Sequence, residues 1–478
     1  MDTYSNPFQS RRTLPAGVHA RCAERYGHRD LLGARRPGAA DVLTSSIEVT
    51  VAGPLRSHTG FLRRTASMMS YGGISYRRAV IEVIGIGAGG WVSLAKPERH
   101  LVQEAQLVLG GQRLLDLLPQ FPGQARVTWP SNLRAALPQL VRGHDDKRVV
   151  VVASGDPLLY GVGSTLIELF GVESVRIHPT LSSVSLAAAR MGWPVASYDV
   201  VRIRTPEADE IRRYLAPGRR LVILSRDGST PGIVGRLLRE AGFGHSTLTV
   251  LAEVGSPGEA RWDDSWPTDL PPLHVLCVTC RPDRLSSAWS IAPGLTDDTF
   301  DHDGQLTKQD VRASALAHLR PVPGQLLWDV GAGAGSIGIE WARTHPSCRT
   351  MAVERDLARA KRIRLNAARL GVGDLEVVEG EAPGVLCGLP APDAVFVGGG
   401  ASTEVIDFSW TALAPGGRLV AHAVTLQTET VLVDAWRRLG GQLTRMSVET
   451  MQPIGSYDGW RPSRPVVQWA VQKALAGQ

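Results

Sequence analysis

The chain has 478 residues, is 43% hydrophobic and carries a formal net charge of +6; that length indicates two or three domains. No apolar run approaches the roughly 18 residues of a membrane-spanning helix, so no membrane span is expected. Charge does not point to nucleic acid either: residues 1–78 hold 12 arginines against 5 acids, while the remaining 400 hold 40 basic and 41 acidic residues, so the folded part has no basic groove to offer a phosphate backbone.

Residues 1–78 are rich in Arg, Gly, Ser and His and lack sustained periodicity. They contain no apolar h-region, so the pair Arg11–Arg12 is not expected to be an export signal. The stretch is expected to be a disordered extension of no catalytic importance, with the folded protein opening near Val80. A partner-binding arm and sequence upstream of the true start are the other readings. Five cysteines, few and odd in number, fit a reducing compartment, and a cytoplasmic location is expected.

A first unit is expected over residues 79–282. AVIEVIGIG reads as a buried strand that runs into the glycines from Gly85 to Gly90. That loose G-x-G-x-x-G is weak alone, because no acid closes a second strand about 20 residues on and Glu104 falls within a helix. ERHLVQEAQ is a helix leading to a strand, LVLG. RVVVVA is an apolar strand that hands over to SGDPLLYG, Ser154 to Gly161. Asp156 and Pro157 sit where α/β proteins place ligands; the alternative is a helix cap, with Pro157 at the first helical position. RRLVILSR, HSTLTVLAEVG and LHVLCVTCR continue the strands. The CxxC of Cys277 and Cys280 lies in the last of these, where small buried cysteines fit better than a redox or zinc half-site. No metal is expected.

Residues 283–299 are the expected linker, and a second unit is expected over 300–473. Thr307 heads T-x-x-D, a partial capping box. The most informative stretch is Leu326–Glu354. It reads as a strand ending at Asp329, a turn carrying Gly331, Ala332, Gly333, Ala334 and Gly335, a helix, and a strand closing on Glu354. Glycines let the main chain approach a ligand, and the helix start offers free N–H groups. An acid at a strand tip can accept both hydroxyls of a ribose. The pattern points to S-adenosylmethionine and methyl transfer. A dinucleotide frame on Gly333, Gly335 and Gly338 starts late after the strand, and the frame from Gly331 meets Ser336 in place of the third glycine; a turn that binds nothing is the remaining reading. Strands alternating with helices make the whole chain α/β with largely parallel sheets.

GIGAGGW, LVLGGQRLLDLLP, SGDPLLYGVG and PTLSSVSLAAARMGWP together resemble the tetrapyrrole methylases, most of all the subfamily acting at carbon 5 of the corrin precursor. The resemblance implies a two-lobed α/β unit with the methyl donor in the cleft, held largely by backbone. It places Gly85, Gly87 and Gly89 on one side, Ser154, Gly155 and Asp156 on a second loop, and Ser182 and Ser183 after the next strand. GQLTKQDVRASALAHL, WDVGAGAGSIGIEWA, VEGEAPGVL, PDAVFVGGG, LAPGGRLVAHAVTLQT and RPVVQW resemble, in order, the carbon-15 methylating, decarboxylating enzymes. That implies a Rossmann-like class I methyltransferase domain whose donor contacts are Thr307, the Gly331–Gly335 loop, Glu354 and Ala382. Glu381 departs from the Asp usual in that family.

Two such units in one chain resemble the bifunctional methyltransferases of cobalamin biosynthesis. The resemblance implies two donor sites per chain, methylation of a precorrin-6 type tetrapyrrole at carbons 5 and 15, and decarboxylation of the ring C acetate. A homo-oligomer is expected, with no nucleic-acid or membrane partner. A sulfonium methyl is already activated, so no strong general base is required and the catalytic residues stay unassigned. The substrate's carboxylates need cations; Lys308 and Arg312, four apart on one helix face, lead, followed by Arg461 and Arg464. His422 is a further substrate candidate. Solvated surface, or for His422 a core position, is the alternative for each. For the whole chain, the alternative is an NAD(P)-dependent oxidoreductase with two Rossmann-like units.

Overall fold

The computed structural model describes residues 80–130, 132–142, 147–284 and 290–475. The expected disordered extension, 1–78, lies outside them.

The first lobe of the first unit is an all-parallel sheet. Its strands are β1 (Ile81–Ile86), β2 (Leu107–Gly110), β3 (Ala125–Thr128), β4 (Val149–Ser154) and β5 (Val175–His178), in the order β3-β2-β4-β1-β5. Val149 to Ala153 of β4 are all buried, as expected of a strand covered on both faces. Val102 of α1 (Lys96–Glu104) and Leu114 of α2 (Gln112–Asp116) pack on one face. Leu137 of α3 (Leu133–Arg142) and Leu166 of α4 (Val162–Phe170) pack on the other. The helices after β1 and β4 thus leave on opposite faces, and a crevice opens between those neighbouring strands at their carboxyl ends.

The second lobe holds β6 (Asp199–Arg202), β7 (Arg220–Leu224), β8 (Thr247–Ala252), β9 (Ala260–Asp263) and β10 (His274–Thr279), ordered β6-β7-β10-β8-β9. Here the expectation of a largely parallel sheet is corrected: only β6 and β7 pair in parallel. The helix α6 (Thr230–Glu240) carries the chain from β7 to β8. No helix follows β8, so the chain turns back directly, and short returns enforce antiparallel pairing. The helix α5 (Ser183–Met191) packs Val184 and Ala187 against Val222, Leu251 and Val275 of this sheet. Cys277 and Cys280 are buried, and burial pushes both thiols up to about 12.

The second unit is built on a seven-stranded sheet. Its members are β11 (Leu326–Val330), β12 (Arg349–Glu354), β13 (Glu376–Glu379), β14 (Ala394–Val397), β15 (Arg418–Ala423), β16 (Gln442–Met446) and β19 (Val466–Gln472). The order is β13-β12-β11-β14-β15-β19-β16, with β19 alone antiparallel to its neighbours. Between β16 and β19 a hairpin of β17 (Glu449–Ile454) and β18 (Tyr457–Pro462) pairs only with itself. All five residues of β11 are buried, each apolar side chain contributing about 1.5–3 kcal/mol. Around the sheet run α7 (Gln309–Leu319), α8 (Ser336–Thr344), α9 (Leu357–Arg369), α10 (Thr403–Ala412) and α11 (Leu426–Leu439). The chain winds outward from β11 to β13, then returns to β14 on the other side of β11, which makes the carboxyl ends of β11 and β14 the second crevice.

The stretch expected as linker is only partly one. From residue 290 it packs on the second unit: Gly294 and Leu295 N–H groups donate to Glu340 at 2.6 and 3.1 Å, and Arg343 donates to the Ser290 carbonyl at 3.2 Å. The two units touch through an Arg204–Asp374 ion pair at 3.0 Å and a hydrogen bond from Arg213 to the Ala342 carbonyl at the end of α8.

Candidate active sites

A cavity of about 440 Å³ opens between the lobes of the first unit. Gly87, Ser154, Gly155, Asp156, Ser182 and Ser183 line it; Gly85 and Gly89 are not among its lining residues. Gly85 is required by close approach: a Cβ there would lie 2.1 Å from the Gly155 carbonyl oxygen. In return Gly155 N–H donates to the Ile86 carbonyl at 2.9 Å, so the loop after β4 is pinned against the end of β1. The Asp156 carboxylate accepts from Leu158 N–H at 2.8 Å. That is a tight turn, and it corrects the helix-cap reading. α4 begins only at Val162, because the Pro157 carbonyl is taken by Gly163 N–H at 3.0 Å and the chain makes another turn first. Ser182 caps α5, accepting from Ser185 N–H at 3.0 Å, so the positive end of that helix meets the cavity.

One cation in this wall escaped the sequence. Arg113, just after β2, donates to Ser154 Oγ at 3.2 Å. The signal was present in GGQR, but only the sheet order shows that β2 ends beside β4.

In the second unit the loop after β11 is shaped by contact. Gly331, at φ +68°, admits no Cβ, which would lie 2.3 Å from the Gly399 carbonyl oxygen after β14. Gly331 and Ala332 N–H groups both donate to the Val353 carbonyl, at 2.9 and 3.1 Å. Glu354 ends β12 and is buried. Its two oxygens accept from Gly333 N–H at 2.8 Å and Asp356 N–H at 3.0 Å. A carboxylate has about four acceptor sites, so two stay available for ribose hydroxyls. Ala334 is held through its carbonyl by Asn366 Nδ2 at 3.0 Å; the same amide exchanges two bonds of 2.9 Å with Asp301. Asn366 thereby ties the entry segment of the unit to the glycine loop. Ala382 lies after β13, next to Glu381, whose carboxylate pairs with Arg355 at 3.2 Å on the exposed rim.

Asp329 is fully enclosed. One oxygen accepts from Gly338 N–H at 2.9 Å, and the other has no hydrogen-bond partner among the described residues. Burial, reinforced by the nearby charge of Glu354, pushes its carboxyl up to about 7.

The substrate cations divide. Thr307 does not cap α7; Lys308 does so by position, without a side-chain bond. Lys308 is 57% exposed and 3.3 Å from Asp297. Arg312 is withdrawn as a substrate contact, because it is 0% exposed and committed on every side. It pairs with buried Glu340 at 2.6 Å and with Asp297 at 3.3 Å, donates to the Thr307 and Leu295 carbonyls, and lies 4.8 Å from the Phe300 ring centroid. Its helix face points inward, which spacing alone could not show. What it does is fasten residues 295–307, including Thr307, to α8. His422 is also a core residue: it is buried edge-on against Phe396, bonded to Gln468 at 3.0 Å, and pushed down to about 4 by burial. Arg461, bonded to Gln452 at 3.1 Å, and Arg464 belong to the exposed β17–β18 segment. It leaves the sheet beyond β16, four strands from β11, or about 19 Å at ~4.8 Å per strand. Only a large ligand bridges that span.

The family model described as tetrapyrrole (corrin/porphyrin) methylases matches residues 80–266, and that described as precorrin methyltransferase domain matches residues 298–473. A precorrin-6Y C(5,15)-methyltransferase (decarboxylating) of Sinorhizobium sp is 42% identical over 401 residues, 82% of this chain and 96% of that protein. One of the same name from Mycobacterium tuberculosis (strain CDC 1551 / Oshkosh) is 41% identical over 82% of this chain and 100% of its own length. A cobalt-precorrin-6B C(15)-methyltransferase (decarboxylating) of Salmonella typhimurium is 34% identical over 35% of this chain and 89% of its own length. The oxidoreductase alternative finds no support among these relatives. With both units matched and nearly the whole of its relatives' length covered, the chain belongs to the precorrin-6Y C(5,15)-methyltransferase (decarboxylating) family.

Proposed function

We propose that each unit carries one methyl-donor site, and that the chain methylates a precorrin-6 type tetrapyrrole at carbon 5 in the first unit and carbon 15 in the second, with loss of the ring C acetate carboxyl. The observation that carries the reading is a device repeated at the carboxyl ends of neighbouring interior strands in both sheets. Gly85 against Gly155 and Gly331 against Gly399 each bring one strand end against a neighbouring loop with no room for a Cβ.

The residues fit S-adenosylmethionine. In the second unit the Gly331–Gly335 backbone, Glu354, Thr307 and Ala382 would hold it; in the first, Gly87, Ser154, Gly155, Asp156, Ser182 and Ser183 would, with Gly85 and Gly89 outside the lining and Gly85 shaping the loop. When bound, it supplies an already activated sulfonium methyl. The chain's own task is alignment. Loops fixed by several backbone bonds fix the angle of attack, and such orientation contributes up to about 7–11 kcal/mol. Glu354 is held in place by two N–H donors before any ligand arrives, so no reorganisation is needed at the moment of reaction. For decarboxylation the conjugated macrocycle is the electron sink, and the protein holds the remaining carboxylates. Lys308 and, for a ligand reaching the hairpin, Arg461 and Arg464 serve there.

Incubation of the full chain with the tetrapyrrole precursor and isotopically labelled donor tests this. The expected product has gained two labelled methyl groups and lost one carbon dioxide. A product with one methyl, or with none, overturns the assignment of two sites.

A further inference from the structure

We infer that Arg113 is a carboxylate-binding residue of the first unit's cleft, a role that rests on the methyltransferase reading above. Four observations converge on it. Arg113 lines the cavity, at the carboxyl end of β2, beside the Ser154–Asp156 loop. Its side chain is exposed, and partial burial against the wall lowers its pKa from the ordinary guanidinium value while the Glu253 charge acts in the opposite sense. Its hydrogen bond is to a neutral hydroxyl, Ser154 Oγ, at 3.2 Å. Among the described residues its one side-chain bond is to that hydroxyl and no carboxylate is bonded to it, although Asp156 and Glu253 share the same walls and the Glu253 charge reaches it.

A guanidinium at a cavity wall with no carboxylate bonded to it has donors left for an incoming anion. It presents five N–H donors in a planar fork, and one is used. The fork matches a carboxylate with two parallel charge-assisted bonds. Placement beside Ser154 puts that carboxylate next to the loop read as donor-binding, so it is near the reacting carbon without being part of the bond exchange. Two molecules could bring the group: a tetrapyrrole, on an acetate or propionate arm, or the methyl donor, on its methionine end. The cavity wall favours the tetrapyrrole. The glycines and Ser182–Ser183 of the donor loops offer backbone to the donor, whereas Arg113 projects from a different strand end.

The test uses the full chain, with Arg113→Ala and Arg113→Lys. Carbon-5 and carbon-15 methylation are followed separately by product mass, and S-adenosylhomocysteine and methylthioadenosine, which lacks the methionine carboxylate, are titrated by calorimetry. Arg113→Ala is expected to raise the substrate KM for carbon-5 methylation about 10- to 100-fold, the range of a lost charge-assisted bond, with carbon-15 methylation unchanged. Arg113→Lys should recover part, because it restores the charge but not the fork. If S-adenosylhomocysteine weakens instead while methylthioadenosine does not, the carboxylate is the donor's, and the site stands with its other source. If the variants leave carbon-5 methylation and both titrations at wild-type values, Arg113 binds no carboxylate and the inference is overturned. A wild-type chain that transfers no methyl to the tetrapyrrole would overturn the functional reading, a result distinct from any of these.

Discussion

Arg312→Ala is expected to unfold the second unit far more readily than it weakens any ligand. The side chain is 0% exposed, and its Nε lies 2.6 Å from Glu340 Oε1. Removing it strands a carboxylate that is itself 3% exposed. Breaking one partner out of a buried ion pair costs about 3–5 kcal/mol. For a domain of roughly this size each kcal/mol moves the melting temperature by about 2–4 °C, which gives a loss of about 6–20 °C. The lost bonds to the Thr307 and Leu295 carbonyls act in the same direction. Differential scanning calorimetry of the full chain reads this as an early, separate transition. The double variant Arg312→Met with Glu340→Leu should recover much of the loss, since apolar pairs often replace buried ion pairs without cost. A wild-type melting temperature for Arg312→Ala, together with weakened tetrapyrrole binding, would refute the reasoning and restore Arg312 to the substrate site.

Three other outcomes are expected. Glu354→Ala should abolish carbon-15 methylation and leave carbon-5 methylation in a folded chain, read by product mass; loss of both would show that the sites are not separable. Asp329→Asn should alter the pH dependence of stability. With its carboxyl at about 7 when folded and about 3.9 unfolded, the folded state holds the extra proton between these values, so wild-type stability falls as pH rises from about 4 to about 7, by about 1.4 kcal/mol per unit. Denaturant titrations should show that slope flattened in the variant, and an unchanged slope would mean the group titrates normally. Cys277 and Cys280, with thiols at about 12, should resist alkylation in the native chain at pH 8 and react once it is unfolded; rapid native labelling of either would contradict their burial.

What the sequence showed well was local. A strand, a glycine turn, a helix and a strand-tip acid lie within Leu326–Glu354, so one short window contains the whole device and periodicity reveals it. The same holds for the β4 strand and the loop that follows. What it hid was long-range. Arg312 and Glu340 are 28 residues apart on different helices, and a helix face is a surface or a core only once its neighbours are known. Arg113 and Ser154 are 41 residues apart and meet because β2 and β4 are adjacent in the sheet. Asn366 reaches back 65 residues to Asp301. The second lobe's antiparallel pairing was missed for a related reason: apolar runs identify strands but not their direction when no crossover helix follows.

Calorimetric titration of the full chain with S-adenosylhomocysteine addresses the central claim directly, because two donor sites per chain are what the two crevices are proposed to provide. The expected result is two sites per chain, falling to one in Glu354→Ala with the remaining site unaltered. A single site in the wild-type chain, or competition of the donor analogue by NAD(P), would contradict it.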